Sequence, residues 1–141
     1  MFFEDFKIGD KIEIPPAIID KDEMIDFAIK YDNIPLHVDE EYAKTTVFGG
    51  LIAPGLMSFA VVWAKYLEVD MFGEELIAGK SSKIEWFKPV YPEDVLNATT
   101  TVTSLARRNE RNGIVEISIE AYNQNGVQVF SNVTEAIVKC K

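Results

Sequence analysis

The segment "VFGGLIAPGLMSFAVVWAKYLEVD", residues 47–70, decides the fold. No glycine follows Gly55, and from Pro54 onward the segment has the length and composition of a single helix that begins at or beside the proline. Apolar side chains fill almost every position from Leu56 to Leu67, which leaves almost no polar face. A helix that is apolar on nearly every side is expected to be buried on nearly every side. The rest of the chain must therefore supply the layer that wraps it.

The C-terminal part of the chain has the alternating pattern of β-strands. In "GIVEISIEAY", residues 113–122, apolar residues alternate with glutamate and serine, as in a half-buried strand. Segments 95–106 and 127–139 are rich in valine and threonine, and the segment leading to "IEWFKPV", residues 84–90, adds a further strand. The turn sequences "RNG" and "NQNG" separate these segments. Four long strands joined by short turns predict an antiparallel meander.

The N-terminal part adds an edge strand and short helices. "KIEI", residues 11–14, is a short strand that we expect to end at the two prolines after it. Asp20 is expected to cap a helix over residues 20–31, and Asp39 to begin one or two further helical turns. No second sheet or helix layer remains to cover the apolar helix. We therefore predict one α+β domain over residues 1–141, with an antiparallel sheet of about five strands wrapped round a long buried central helix.

Composition excludes several classes of function. With 23 acidic and 14 basic residues the net charge is -9, which argues against nucleic acid and favours a small phosphate-bearing ligand such as coenzyme A over an acidic carrier protein. The longest apolar run, residues 51–64, is interrupted and too short to span a membrane, and the N-terminus does not resemble a secretory signal, so we expect a cytoplasmic protein. The single cysteine, Cys140, allows no intrachain disulfide and is expected to be a surface thiol.

The stretch "DNIPLH" contains Asp32 and His37, and His37 is the only histidine of the chain. Pro35 has a fixed φ and pushes Ile34 toward extended geometry, so we expect a bent, stiff, non-helical segment that brings the two side chains toward one small molecule such as water. An imidazole takes and gives protons near neutral pH, and a carboxylate can orient or deprotonate water, so the pair suits acid/base catalysis.

Other interpretations of this stretch remain open. A lone histidine in a loop is most often structural, and Asp32 can simply cap the turn. Asp39, Glu40 and Glu41 follow the histidine, but a tight metal site would normally need further histidine or cysteine ligands, so we expect no metal.

Glycines mark the start of the apolar helix. Gly49, Gly50 and Gly55 precede or begin it, where free backbone N–H groups and the helix dipole favour negative charge and can polarise a carbonyl as an oxyanion hole does. A tight turn that requires glycine explains them equally well. Ser58 lies in "GLMSF", which lacks the G-x-S-x-G elbow, so a serine hydrolase is not expected.

Three segments together resemble a known family. "FAIKYDNIPLHVDEEYAKTTVFGGLIAPGL", residues 27–56, is similar to the core signature of the MaoC-like dehydratases, or (R)-specific enoyl-CoA hydratases, which have the hotdog fold. "FEDFKIGDK", residues 3–11, resembles the opening of that family, and "FKPVYPEDVL", residues 87–96, resembles its "PV..GD.L" stretch. The resemblance therefore extends over nearly the whole chain.

The resemblance implies a reaction and its residues. Asp32 and His37 would activate one water for addition to a trans-2-enoyl thioester, giving an (R)-3-hydroxyacyl product, and the N–H of Gly55 would bind the thioester carbonyl. Phe48, Gly50 and Met57 are further candidates for contact with the substrate. The resemblance implies no cofactor beyond the coenzyme A of an acyl-CoA substrate. It also implies a homodimer or higher homo-oligomer with the acyl tunnel at the interface.

Three positions depart from the family pattern. Ile34 stands where many members have asparagine, Pro54 replaces a common histidine, and Glu93 replaces the glycine of "GD". A hotdog thioesterase, which hydrolyses the thioester, and a non-catalytic acyl-CoA-binding protein are the alternative functions.

A basic cluster offers one more candidate for ligand contact. Arg107, Arg108 and Arg111 lie in "ARRNER", where a predicted hairpin turns. They would either meet the phosphates of the nucleotide or form a solvated turn, and the position at a hairpin tip favours the turn.

Overall fold

A computed structural model describes all residues, 1–141, and contains one antiparallel sheet of five strands with helices packed against it. The strands are β1 (Lys11–Ile18), β2 (Leu76–Trp86), β3 (Val95–Arg107), β4 (Asn112–Tyr122) and β5 (Gln128–Lys139). The helices are α1 (Lys21–Tyr31), α2 (Pro35–Val38), α3 (Glu40–Lys44) and α4 (Gly55–Glu68), with 3₁₀ turns at Phe3–Asp5 and Gly73–Glu75. This architecture confirms the predicted hotdog fold.

The order of the strands differs in one respect from the predicted meander. The sheet runs β1-β3-β4-β5-β2, so that β3, β4 and β5 are consecutive neighbours as expected. The strand β2, however, pairs with β5 rather than with β3. The free side of β3 is occupied by β1, and β2 therefore lies at the opposite edge of the sheet. Residues 87–94 carry the chain from the β2 edge to the start of β3.

The prediction that the first strand ends at its prolines was wrong. β1 continues through Pro15 and Pro16 to Ile18, and its pairing with β3 shifts register between Ile14 and Ala17. Proline lacks an N–H donor but is tolerated on an edge strand or at a bulge, and β1 is both an edge strand and irregular at this point.

The short helices begin at the predicted caps. The Asp20 carboxylate accepts a hydrogen bond from the Glu23 N–H at 2.9 Å and starts α1. The Asp39 carboxylate accepts from the Tyr42 N–H at 3.1 Å and starts α3. In both cases an aspartate in extended geometry satisfies an N–H group that has no partner inside the helix.

The central helix α4 is buried on one side only. Its inner side chains pack into the core, whereas Leu56 and Leu67 are each 54% exposed and Ala60 and Ala64 on the same face are also exposed. The expectation of burial on nearly every side was therefore wrong for the single chain, because one sheet covers only one side of a helix. No helix here combines the length and apolar character that a membrane span requires.

A ring of polar side chains joins the edge strand β2 to β5 on the sheet face that packs against α4. The Asn132 amide nitrogen donates to Ser82 Oγ at 2.7 Å and to the Lys83 carbonyl at 3.1 Å, which fixes the orientation of the amide. Thr134 Oγ1 donates to Asn132 Oδ1 at 2.7 Å, and the Ser82 and Thr134 hydroxyls are 3.0 Å apart. The polar side-chain atoms of the buried Asn132 and Thr134 thus all have partners, as burial requires.

Candidate active site

The loop after α1 positions the aspartate and the histidine. Ile34 is extended, with φ -122° and ψ 152°, as expected for a residue before proline. Pro35 then begins the four-residue helix α2, which contains His37. The expectation of a non-helical segment was therefore wrong. Proline is favoured at the first helical position, where its missing N–H would have had no partner in any case.

Asp32 and His37 meet at the wall of a cavity. His37 Nε2 lies 3.4 Å from Asp32 Oδ2, and the imidazole is 6% exposed while the carboxylate is 34% exposed. His37 Nδ1 lies 2.7 Å from the carbonyl oxygen of Ile52. A carbonyl oxygen only accepts hydrogen bonds, so Nδ1 carries a proton and its N–H donates a hydrogen bond to the Ile52 carbonyl.

This tautomer determines what the pair can bind. In the neutral imidazole the lone pair is on Nε2, which faces the Asp32 carboxylate. Two hydrogen-bond acceptors that face one another are complementary to a molecule with two O–H donors, and water is the smallest such molecule. A water that donates to both atoms has its own oxygen lone pairs free for nucleophilic attack.

The cavity has a volume of about 560 Å³ and includes four of the residues predicted from the sequence, Asp32, His37, Phe48 and Gly55. Its lining is Asp32, His37, Phe48, Ile52, Ala53, Gly55, Leu56, Ser58, Trp86, Phe87, Lys88, Pro89 and Val90. The other two predicted residues, Gly50 and Met57, are not part of this lining. Met57 is 1% exposed and packs in the hydrophobic core.

Hydrogen bonds to backbone carbonyls hold the segment before α4 against the cavity. The Ala53 N–H donates to the Val90 carbonyl at 2.7 Å, and the Tyr91 hydroxyl donates to the Phe48 carbonyl at 2.9 Å. Gly55 is the first residue of α4, and N–H groups of a first helical turn have no partner within the helix. The cavity therefore has unused backbone donors and the positive end of a helix dipole at one wall.

Glycine is required at position 55 by a close approach. A Cβ at this position would lie 2.5 Å from Cε2 and 2.6 Å from Nε1 of the Trp86 indole. The indole covers the start of α4 because residue 55 has no side chain.

Sequence reasoning missed Trp86, Lys88 and Ser58 as parts of the cavity wall. Trp86 and Lys88 lie in "WFKP", and an aromatic pair followed by a lysine at the end of an edge strand was the available signal. Ser58 is 1% exposed, and its hydroxyl donates to the Pro54 carbonyl at 3.4 Å.

The three departures from the family pattern lie at or beyond the edge of the site. The Ile34 side chain is half exposed and does not line the cavity, although its carbonyl accepts from the His37 N–H at 3.0 Å. Pro54 precedes α4 as its N-cap residue. Glu93 has φ +69°, in the left-handed region that favours glycine.

The basic cluster at the β3–β4 hairpin lies far from the cavity. Arg107 ends β3, whose 13 residues extend about 40 Å from Val95, and the last cavity residue, Val90, comes five positions before Val95. Arg107 also pairs with the Glu4 carboxylate. Within one chain, this cluster does not contribute to the cavity. No group of three or more histidine, cysteine, aspartate or glutamate side chains converges as a metal site would require.

Comparison with known proteins identifies the class and then the family. A five-stranded antiparallel sheet packed on one long helix defines a protein of the hotdog fold. The sequence model of the MaoC-like domain matches residues 5–123. The chain therefore belongs to the MaoC-like domain family.

Individual relatives are similar to this chain over most or all of its length. The uncharacterized protein YdeM of Bacillus subtilis is 33% identical over 142 aligned residues, which cover 99% of each chain. An (R)-specific enoyl-CoA hydratase of Rhodospirillum rubrum is 35% identical over 104 residues, 74% of this chain and 71% of the hydratase. The X-ray structure of a monoamine oxidase regulatory protein from Archaeoglobus fulgidus matches with a TM-score of 0.95 at 29% identity and covers 100% of this chain and 95% of that one.

Proposed function

We propose that this protein is an acyl-CoA hydratase, which adds water reversibly to a trans-2-enoyl-CoA and gives an (R)-3-hydroxyacyl-CoA. The observation that carries the proposal is the convergence of two proton acceptors, the Asp32 carboxylate and His37 Nε2, on one wall of a cavity whose other wall is the start of α4. The (R) configuration is supported by the similarity to the Rhodospirillum hydratase.

The proposed reaction uses the two walls together. The thioester carbonyl accepts a hydrogen bond from the Gly55 N–H, which draws electron density from C3 and stabilises the negative charge that develops on the carbonyl oxygen. The oxygen of the water held by Asp32 and His37 forms a bond to C3, and one water proton passes to the pair. The pair then returns a proton to C2, so the enzyme regains its starting protonation state. The reaction so written requires no cofactor beyond the coenzyme A of the substrate.

Two exposed surfaces support a homodimer as part of the same proposal. The edge strand β2 is exposed along most of its length, and its outer edge has no partner strand. It adjoins α4 across a shallow cavity of about 290 Å³ that Phe59 and Trp63 help to line. Unpaired strand edges and contiguous apolar surfaces are normally covered in stable proteins. A second copy of the chain would cover both.

Hydration of crotonyl-CoA tests the proposal. A thiol reagent measures release of free coenzyme A, and the loss of enoyl-thioester absorbance that is not matched by thiol release measures hydration. We expect hydration without thiol release, with Asp32→Asn and His37→Ala each lowering kcat about 10²- to 10⁴-fold. Asp26→Asn, which changes an exposed carboxylate on α1, is the matched control and should retain wild-type activity.

Each alternative function has its own result in this assay. Release of thiol that accounts for the whole loss of absorbance would favour a thioesterase. Binding of crotonyl-CoA without either reaction would favour a non-catalytic acyl-CoA-binding protein. Hydration that survives both substitutions would refute the roles given to Asp32 and His37.

A further inference from the structure

Lys88 is the one basic side chain, other than the histidine, that lines the catalytic cavity. The chain leaves the edge strand β2 at Trp86, and the N–H groups of Phe87 and Lys88 both donate to the Val129 carbonyl, at 2.8 and 3.4 Å. Pro89 follows directly and fixes its own φ. The backbone of Lys88 is thus held in place, while its long side chain is exposed at the mouth of the cavity.

The charge of Lys88 has no partner in the chain. Its ammonium forms neither an ion pair nor a hydrogen bond, although acids outnumber bases by nine. Two lysines on β2 differ in this respect, since Lys80 pairs with Glu135 at 3.6 Å and Lys83 with Glu85 at 3.3 Å. An unpaired cation at a cavity mouth, on a protein of net negative charge, is suited to an anion that the ligand brings.

The position of Lys88 also determines which part of a ligand it meets. In the proposed reaction, the reacting carbons and the thioester carbonyl lie between two walls of the cavity. Asp32 and His37 form one wall, and Gly55 is part of the other. The arm that carries the thioester must leave through the mouth, past the half-exposed rings of Trp86 and Phe87. The anionic end of the ligand then lies outside the cavity, on the side where Lys88 is exposed.

We propose that the Lys88 ammonium binds a phosphate of the phosphopantetheine arm or nucleotide that carries the acyl group. This inference rests on the proposed hydratase function and adds to it the group that recognises the carrier. Coenzyme A and acyl carrier protein share the phosphate at the end of the pantetheine arm, and coenzyme A has further phosphates on its nucleotide. The net charge of -9 favours coenzyme A, because an acidic carrier protein would be repelled.

The test compares crotonyl thioesters that differ in their phosphates: crotonyl-CoA, crotonyl-phosphopantetheine and crotonyl-pantetheine, which has none. We expect Lys88→Met to raise KM about threefold to tenfold for phosphorylated substrates, the scale of one contact to a charged group, with kcat little changed. For crotonyl-pantetheine KM should not change. Lys83→Met, at an exposed lysine of β2 that does not line the cavity, is the control and should alter none of these values. Lys88→Arg should retain the wild-type KM.

The arms of the experiment separate the possible outcomes. A rise in KM with crotonyl-phosphopantetheine supports contact with the phosphate of the arm, and a rise with crotonyl-CoA alone supports contact with the nucleotide phosphates. Crotonyl-acyl carrier protein, as a fourth substrate, shows whether the same lysine serves a protein-bound arm. An equal effect of Lys88→Met on all substrates, or none on any, overturns the phosphate contact while wild-type hydration stands. Absence of hydration by the wild-type protein refutes the proposed function itself.

Discussion

Replacement of Gly55 by alanine tests the contact that shapes the cavity. The new methyl carbon would lie 2.5 Å from Cε2, 2.6 Å from Nε1 and 2.9 Å from Cζ2 of Trp86. Non-bonded carbon atoms are at their optimum about 3.5 to 4.0 Å apart, so the indole must retreat by roughly 1 Å. Gly55 has no positive φ, so alanine itself fits the backbone there. The whole perturbation therefore falls on Trp86.

The expected effects on stability and on activity differ in size. Alanine in place of a helical glycine stabilises by up to about 1 kcal/mol, and overpacking costs about 1 to 3 kcal/mol. The Trp86 ring is half exposed and can move toward solvent, so we expect a net loss of about 0 to 2 kcal/mol, or a fall in Tm of no more than about 7 °C. The indole is part of the cavity wall, so its displacement changes the space in which the substrate is positioned. A misplacement of about 1 Å can cost about 10²-fold in rate, and we expect kcat/KM to fall by up to about that factor.

Thermal unfolding measures the effect on stability, and hydration of crotonyl-CoA measures the effect on activity. Both are applied to Gly55→Ala, Trp86→Ala and the double variant. The double variant has no indole to displace, so Gly55→Ala should cost no stability when it is added to Trp86→Ala. Gly50→Ala is the matched control, because a Cβ there meets no atom within 4 Å and its φ is not positive. If Gly55→Ala matched Gly50→Ala in both Tm and kcat/KM, the steric argument would be refuted.

Three further predictions concern the sheet and the exposed face of α4. Thr134→Val leaves the buried Asn132 amide oxygen without its donor and should cost about 1 to 3 kcal/mol in chemical unfolding, whereas an unchanged midpoint would contradict the role of the polar ring. The Ser81 hydroxyl lowers the pKa of Glu135 below 4.5, and Lys80 adds to this, so their contribution to stability is present above that pH and is lost as the pH falls. The Tm difference between wild type and Ser81→Ala should therefore be seen at pH 7 and shrink below about pH 4.5; a constant difference would contradict the prediction. Leu67→Asp should convert a dimer into monomers in light scattering, and a wild-type monomer would refute the proposed dimer.

The elements of the fold were largely predictable, because they depend on local patterns. Asp20 and Asp39 began helices as expected, and the alternation in residues 113–122 predicted a strand that the structure contains. The pairing of β2 with β5 was not predictable in this way. It depends on which edge of the sheet is free after β1 has paired with β3, and no local pattern reports that.

The burial of α4 shows a second limit of sequence reasoning. Its composition indicated a helix covered on nearly every side, yet the single chain leaves Leu56 and Leu67 half exposed. Apolar composition reports that a surface is to be covered, but it does not say whether the same chain or another covers it.

The site was predictable only where its residues are close in sequence. Asp32 and His37 are five positions apart on a stiff segment, and the structure brings them within 3.4 Å. The helical turn that contains His37 was not predictable from Pro35 alone, because proline can either break a helix or occupy its first position. Trp86 and Lys88 come from a segment some fifty positions further along the chain. Residues 87–94 pass beside the start of α4, where the Val90 carbonyl accepts a hydrogen bond from the Ala53 N–H. This contact between distant parts of the chain brings the segment to the cavity.

The single histidine makes the site accessible to spectroscopy without labelling of selected residues. In a chain of 141 residues, His37 alone gives imidazole ring resonances, so every such signal in a nuclear magnetic resonance spectrum comes from the cavity. Its Nδ1 proton is held by the Ile52 carbonyl and shielded from solvent, which favours slow exchange and a visible signal. The two ring nitrogens have distinct shifts in the two tautomers and in the cation. One spectrum would thus report the protonation state of His37 directly, and a titration with ligand would follow its change atom by atom.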